Sequence, residues 1–241
     1  MDAEVDAAVL RANVARVQAR IAAAAARAGR NPADVTLVAV SKTQPVEVIL
    51  AAYAAGLRLF GENRVEEAGP KAAEVQARLA PAPPPVWHMI GHVQSRKAAD
   101  VLPWAALVHS VDSVKLATRL ACSVGEGVEL PVLLEVNVAG EASKYGFHPA
   151  ELPAAVEAIA ALPGLRIEGL MTMAPLVTDP ELARPTFRSL AQLRAELAQR
   201  YPAIVWRHLS MGMTDDFEVV IEEGATLVRI GRALFGERPL E

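Results

Sequence analysis

The chain has one cysteine, Cys122, in 241 residues. A lone thiol excludes an intrachain disulfide framework and fits a reducing compartment. Its setting, Leu120-Ala-Cys-Ser-Val124, reads as the inner face of a helix, so a buried, inert thiol is expected. No apolar run approaches the ~20 residues that a helix needs to cross a bilayer. The acidic, then alanine-rich N-terminus lacks a basic stretch followed by an apolar core, so no signal peptide is expected. Charge of one sign is lacking too. Lys and Arg number 24 against 28 Asp and Glu, a net charge of −4, with no bulk attraction to nucleic acid or anionic membrane. A cytoplasmic protein that engages neither is expected. No G-x-G-x-x-G follows the first strand and no Walker pattern occurs, which argues against a doubly wound nucleotide fold.

What the chain has is apolar runs in regular alternation with helical patterns, within a composition 52% hydrophobic. Strands are predicted at 35–40, 57–60, 86–90, 106–110, 131–136, 165–170, 204–208 and 227–230. An amphipathic helix over about 4–28, carrying Val5, Val9, Val14, Val17 and Ile21, precedes them and ends at Gly29. Helices follow at Pro45 to Gly56, through Lys97 and Val101, at 113–124, after Pro149 and after Asp179-Pro180. Gly69-Pro70 is expected to bend or interrupt the start of another. Asp215 and Asp216 read as the first turn of the last long one. Eight strand–helix units predict a single (β/α)₈ TIM-type barrel over residues 1–241 with an added N-terminal helix.

The functional face of such a barrel lies at the strand C-termini. The polar residues there are Lys42, Glu62, Asn63, His88, His92, Ser110, Asn137, Thr172, Ser210 and Arg229. Lys42 follows the buried run Val35–Val40. Desolvation there disfavours the ammonium, and the amine can hold a carbonyl compound as a Schiff base; alternatively, Lys42 only marks the strand's end. Ser210-Met-Gly212 and Gly231-Arg232 end strands seven and eight, where barrels often bind phosphate; the plainer reading is two tight turns. An aldehyde at one end and a phosphate at the other describe pyridoxal 5′-phosphate (PLP). The Arg229 side chain can reach the pyridine nitrogen and disfavour its protonation, which weakens the ring as an electron sink. No strand-end carboxylate is an obvious substitute partner.

No metal site is expected, since His88 and His92 flank a strand-to-loop break and read as satisfied histidines. Met171, Met173, Met211 and Met213 read as packing. Ser95-Arg-Lys97 reads as a solvated helix start.

Several segments resemble the PLP homeostasis proteins, single-barrel relatives of the alanine racemase N-terminal domain. They are Val38-Ala-Val-Ser-Lys-Thr43, Phe60-Gly-Glu-Asn63, Trp87-His-Met-Ile-Gly-His92 with Gln94-Ser95, and Asn137 through Gly146. Gly169-Leu-Met-Thr-Met173, Leu209-Ser-Met-Gly-Met213 with Asp215-Asp216-Phe217, and Arg229-Ile-Gly231 with Phe235-Gly236 complete the set. The resemblance implies PLP fold type III and a Schiff base on Lys42. It implies phosphate contacts from Ser210, Gly212, Gly231 and the Arg232 backbone, Arg229 at the pyridine nitrogen and Asn63 beside the ring. Departures fall at the pocket rim: Arg64 and Glu66 replace the usual tyrosine and glutamine, and Arg96 replaces an asparagine.

The related racemases take a second base, a tyrosine, from a β-rich domain that this sequence does not show. Of Tyr53, Tyr145 and Tyr201, only Tyr145 falls in a strand-end loop. The resemblance therefore implies a non-enzymatic store of PLP that delivers it to apo-enzymes, with no catalytic residue; a monomer is expected, which the resemblance itself does not imply. Lys144 is placed to take the aldehyde transiently during release. The alternatives are a weak amino-acid racemase and a phosphate-binding barrel without PLP.

Overall fold

The computed structural model describes residues 6–141, 145–175 and 177–236, so the reading of Lys144 lies outside the described residues. Eight parallel strands close in sequential order into a barrel: β1 Thr36–Val40, β2 Leu59–Glu62, β3 Val86–Met89, β4 Leu107–Val111, β5 Leu130–Glu135, β6 Leu165–Met171, β7 His208–Ser210 and β8 Leu227–Ile230. The helices are α1 Ala7–Arg27, α2 Val46–Ala54, α3 Val65–Leu79, α4 Ala98–Val101, α5 Val114–Ser123, α6 Leu152–Ala160, α7 Arg184–Arg200, α8 Phe217–Glu222 and α9 Arg232–Phe235.

Period-2 alternation sorts the strand side chains. Val38, Ile90, Leu107, Leu133, Met171 and Leu227 pack together inside the barrel. Their neighbours Ala39, Phe60, Val108, Leu134, Leu170 and Val228 join the larger core beneath the helices. Helix α1 begins at Asp6, whose carboxylate accepts from the Ala8 and Val9 amides. It buries Leu10, Val14, Val17 and Ile21, while Val9, expected in that stripe, is exposed. This face lies against α8 and α9.

Four expectations need correction. Strand seven starts at His208 rather than near 204: the preceding apolar residues are satisfied without pairing, and Trp206 buries its ring and donates to the Tyr201 carbonyl. Helix α3 runs through Pro70, which forfeits one bond to the exposed Glu66 turn. Cys122 is exposed. The buried stripe of α5 is Leu116, Ala117 and Leu120, and two further residues turn the thiol about 200° around the axis. Asp216 is the residue before α8 rather than in its first turn, and accepts from the Met213 amide at 2.6 Å. No described helix is long and apolar enough to cross a membrane.

Candidate functional site at the barrel mouth

Ser41 still pairs with β2, its amide donating to the Gly61 carbonyl at 3.0 Å, and its side chain is fully buried. Lys42 follows at the rim, half-buried. Thr43 then takes φ +65°, a left-handed conformation costly for a β-branched residue, so the chain kinks immediately beyond the lysine. Asn63 leaves β2 beside it. Gly91 makes room for Asn63, since a Cβ at 91 would stand 2.3 Å from the Asn63 carbonyl oxygen. Asn63 Oδ1 is buried with no hydrogen-bond partner among the described residues, an acceptor awaiting a donor.

On the other side of β1, β8 and then β7 bring the two glycine segments side by side. The Arg229 amide donates to the Gly212 carbonyl at 3.1 Å, the Ala233 amide to Thr214 Oγ1 at 3.4 Å, and the Arg232 guanidinium bonds Asp215. Gly212, at φ +87°, could not carry a side chain: a Cβ would meet Val220 Cγ2 at 2.4 Å.

Between them the barrel interior is polar. Arg229 Nη1 donates to Ser210 Oγ at 2.6 Å and Nη2 to the Thr172 carbonyl at 3.0 Å. Ser210 Oγ also meets His109 Nδ1 at 2.8 Å, and His109 Nε2 meets His88 Nδ1 at 2.9 Å. One proton assignment satisfies the whole chain: Arg229 to Ser210, Ser210 to His109, His109 to His88, both imidazoles neutral. Burial supports it, holding His88 down at about 4 and His109 well below its ordinary value. Burial lowers Arg229 to about 10 against the pull of Glu135 and Asp216, so the guanidinium stays charged at neutral pH.

Glu135, the last residue of β5, shares the inward parity of Leu133. It corrects the expectation that no strand-end carboxylate bears on this region. Burial pushes its carboxyl up to about 7, Asp112 adds to the rise, and Arg229 opposes it. Between the unfolded carboxyl value and 7 the native state binds the extra proton, so stability falls as pH rises through that window. Glu135→Gln removes this term. Relative to the parent it should gain about 3 kcal/mol at pH 8 and nothing well below pH 4.5, in parallel urea titrations. Equal stability at both pH values would refute the buried-proton assignment.

The remaining strand-end residues divide. Thr172 Oγ1 donates to the Val136 carbonyl, Ser110 Oγ to the Gly91 carbonyl, and Asn137 Nδ2 to the Glu141 carbonyl, all loop-fixing bonds. His88 and His92 part company: His88 lies in the barrel, whereas His92 pairs with Asp112 at 2.9 Å and stacks on Tyr145 at 3.9 Å. No cluster of three or more potential metal ligands occurs among the described residues. Sequence reading missed His109 and Glu135, although alternation from Leu107 and Leu133 points both inward. Glu62 also turns outward instead of into the mouth, where it meets Lys71 of α3 at 2.9 Å.

The family model of the alanine racemase N-terminal domain matches residues 5–239. The pyridoxal phosphate homeostasis protein of Pseudomonas aeruginosa is 47% identical over 227 residues, covering 94% of each chain. The chain belongs to the pyridoxal phosphate homeostasis protein family. Among solved structures, PipY of Synechococcus elongatus with PLP bound superposes with a TM-score of 0.80 at 36% identity, over 94% of this chain and 100% of that one. Alanine racemase from Corynebacterium glutamicum shares the fold, with a TM-score of 0.67 at 18% identity; the match covers 96% of this chain and 61% of the racemase.

Proposed function

We propose that this protein binds PLP at the barrel mouth, stores it and passes it to apo-enzymes, as a cytoplasmic, non-enzymatic monomer built of one barrel domain over 1–241. The observation that carries the reading is the buried, doubly anchored Arg229 beside the two glycine loops, on the strand next to the one that ends at Lys42. The donor set fits the group. When bound, PLP supplies an aldehyde that condenses reversibly with a primary amine, and Lys42 offers that amine. Gly212, Gly231 and the Arg232 backbone border the space for a phosphate, with Ser210 beneath them. The orphaned Asn63 Oδ1 would offer the bound group an acceptor. The homeostasis relatives and the PLP-bound PipY structure support the same ligand.

Arg229 also argues for storage over turnover. A charged guanidinium, held by Ser210 and the Thr172 carbonyl, gives a neighbouring ring nitrogen no reason to take a proton. The tyrosines supply no evident second base. Tyr53 donates to the Pro83 carbonyl and Tyr201 to the Pro153 carbonyl, while Tyr145 lies 60% exposed against His92.

Two measurements test the reading. Borohydride reduction after loading with PLP, followed by peptide mapping, should place the label on the Lys42 peptide. Loaded protein incubated with L-alanine should produce the D-enantiomer no faster than PLP alone. Enantiomer turnover well above that background would replace the carrier with a racemase.

A further inference from the structure

Helix α3 holds the main chain on both sides of Lys42. Lys71 Nζ donates to the Ser41 carbonyl at 3.1 Å, to Glu62 Oε1 at 2.9 Å and to Glu67 Oε1 at 2.7 Å. Glu62 Oε1 in turn accepts from Ser41 Oγ at 2.7 Å. On the far side, Glu67 Oε1 accepts from the Thr43 amide at 2.8 Å, and Thr43 Oγ1 donates to the Lys42 carbonyl at 2.6 Å. Residues 41 and 43 are thus both tied to one ammonium–carboxylate cluster.

We propose that Glu67 and Lys71 are positioning residues for Lys42, fixing the kink that holds its side chain at the barrel mouth; this rests on the PLP-binding reading above.

The alternative is that the cluster only cements α3 to the sheet. Buried ion pairs are poor cement: apolar side chains of similar volume often do as well or better. Glu62 is fully buried, Lys71 is 8% exposed, and Glu62 Oε2 finds no hydrogen-bond partner among the described residues, so the arrangement carries a desolvation cost. What an apolar pair could not supply is a donor for the Ser41 carbonyl and an acceptor for the Thr43 amide. The left-handed Thr43 is where those bonds matter. Its strained backbone persists only if its surroundings over-determine it, and the Glu67 bond to its amide does that one residue beyond the lysine. Glu67 lies on the solvent side of the cluster, so its removal leaves the Glu62–Lys71 pair in place.

The decisive variant is Glu67→Ala, compared with Glu67→Gln, whose amide oxygen still accepts from Thr43. Two readouts are taken. The first, without PLP, is the acetylation rate of Lys42 by acetic anhydride, measured by mass spectrometry against Lys97 as internal reference. It should rise at least threefold in Glu67→Ala as the kink loosens, and return to within twofold of the parent in Glu67→Gln. The second is borohydride-fixed PLP on Lys42, which should fall at least tenfold in Glu67→Ala and recover in Glu67→Gln. Should Glu67→Ala fail to fold, Glu67→Leu, which keeps the side-chain volume but offers the Thr43 amide no acceptor, replaces it with the same expectations. An acetylation rate within twofold of the parent overturns the proposal, as does parental fixation in the variant. A parent that fixes no PLP on Lys42 overturns the functional reading instead, and acetylation still decides the positioning role.

Discussion

Lys42→Ala is expected to leave a folded barrel in which borohydride fixes no PLP. Lys42 is half-buried at the rim, so truncating it removes little packing and leaves the strand hydrogen bonds untouched. Among the described residues, the other lysine close by in the fold, Lys71, is no substitute. It is enclosed by the Ser41 carbonyl, Glu62 and Glu67, three acceptors that already engage its Nζ. The glycine loops and Arg229 are unaffected, so the phosphate contacts proposed for them should survive and affinity should fall by about two orders of magnitude, ~2.7 kcal/mol, without vanishing. Absorbance titration with PLP, with melting temperature as control, measures both. If Lys42→Ala traps cofactor as tightly as the parent and shows the same borohydride-fixed label, the barrel-mouth lysine is not the anchor.

Gly169→Ala should destabilise the protein by about 3 to 5 kcal/mol, as backbone strain and overpacking combine. Gly169 sits in β6 at φ +153°, and its absent Cβ would point at β7. A methyl there would stand 2.0 Å from the His208 carbonyl oxygen and 2.9 Å from its nitrogen. These are main-chain atoms, so no rotamer change relieves the clash. Gly169 and His208 are register partners, and Ser210 lies two residues on. The register with β5 also shifts at Val132/Leu133, leaving Glu168 as an extra residue in β6. A glycine lets the strand absorb that irregularity while β7 closes in. Against a total stability of about 5 to 15 kcal/mol, a loss of this size predicts poor soluble yield or a much lower urea midpoint. A midpoint close to the parent's would show that β7 yields more readily than its hydrogen bonds imply.

The barrel was legible because each strand is a short apolar run punctuated by turn residues, and Lys42, Asn63, Ser210 and Arg229 sit where those runs stop. Boundaries failed where apolar character had another cause. Ile204 and Trp206 are apolar because they pack at the end of α7, not because they pair, and Val205 between them is exposed. Pro70 misled because a helix tolerates one missing donor on a solvated side. Cys122 misled because a neighbouring leucine is buried and a two-residue step on a helix is nearly a reversal of face. The interior chemistry was harder to see, since His109 and Glu135 lie inside strands whose run-ends drew attention. The Glu62–Lys71–Glu67 cluster joins a strand to a helix and was hidden by treating every strand-end polar group as facing the mouth.

Helix α1 seats itself on the last strand–helix unit: Asn13 Nδ2 donates to the Leu234 carbonyl at 2.9 Å, Arg30 Nη1 to the Ile221 carbonyl at 2.6 Å, and Arg20 and Arg27 pair with Glu218 and Glu222. Helix α1 leaves a ribosome ahead of the barrel and therefore finds this berth only when residues 217–235 emerge. At translation speeds of roughly 5 to 20 residues per second that is a wait of about 10 to 40 seconds, with an apolar stripe bare throughout. A nascent chain stalled before Phe217 would carry that stripe unshielded, the state in which trigger-type chaperones and proteases compete for it.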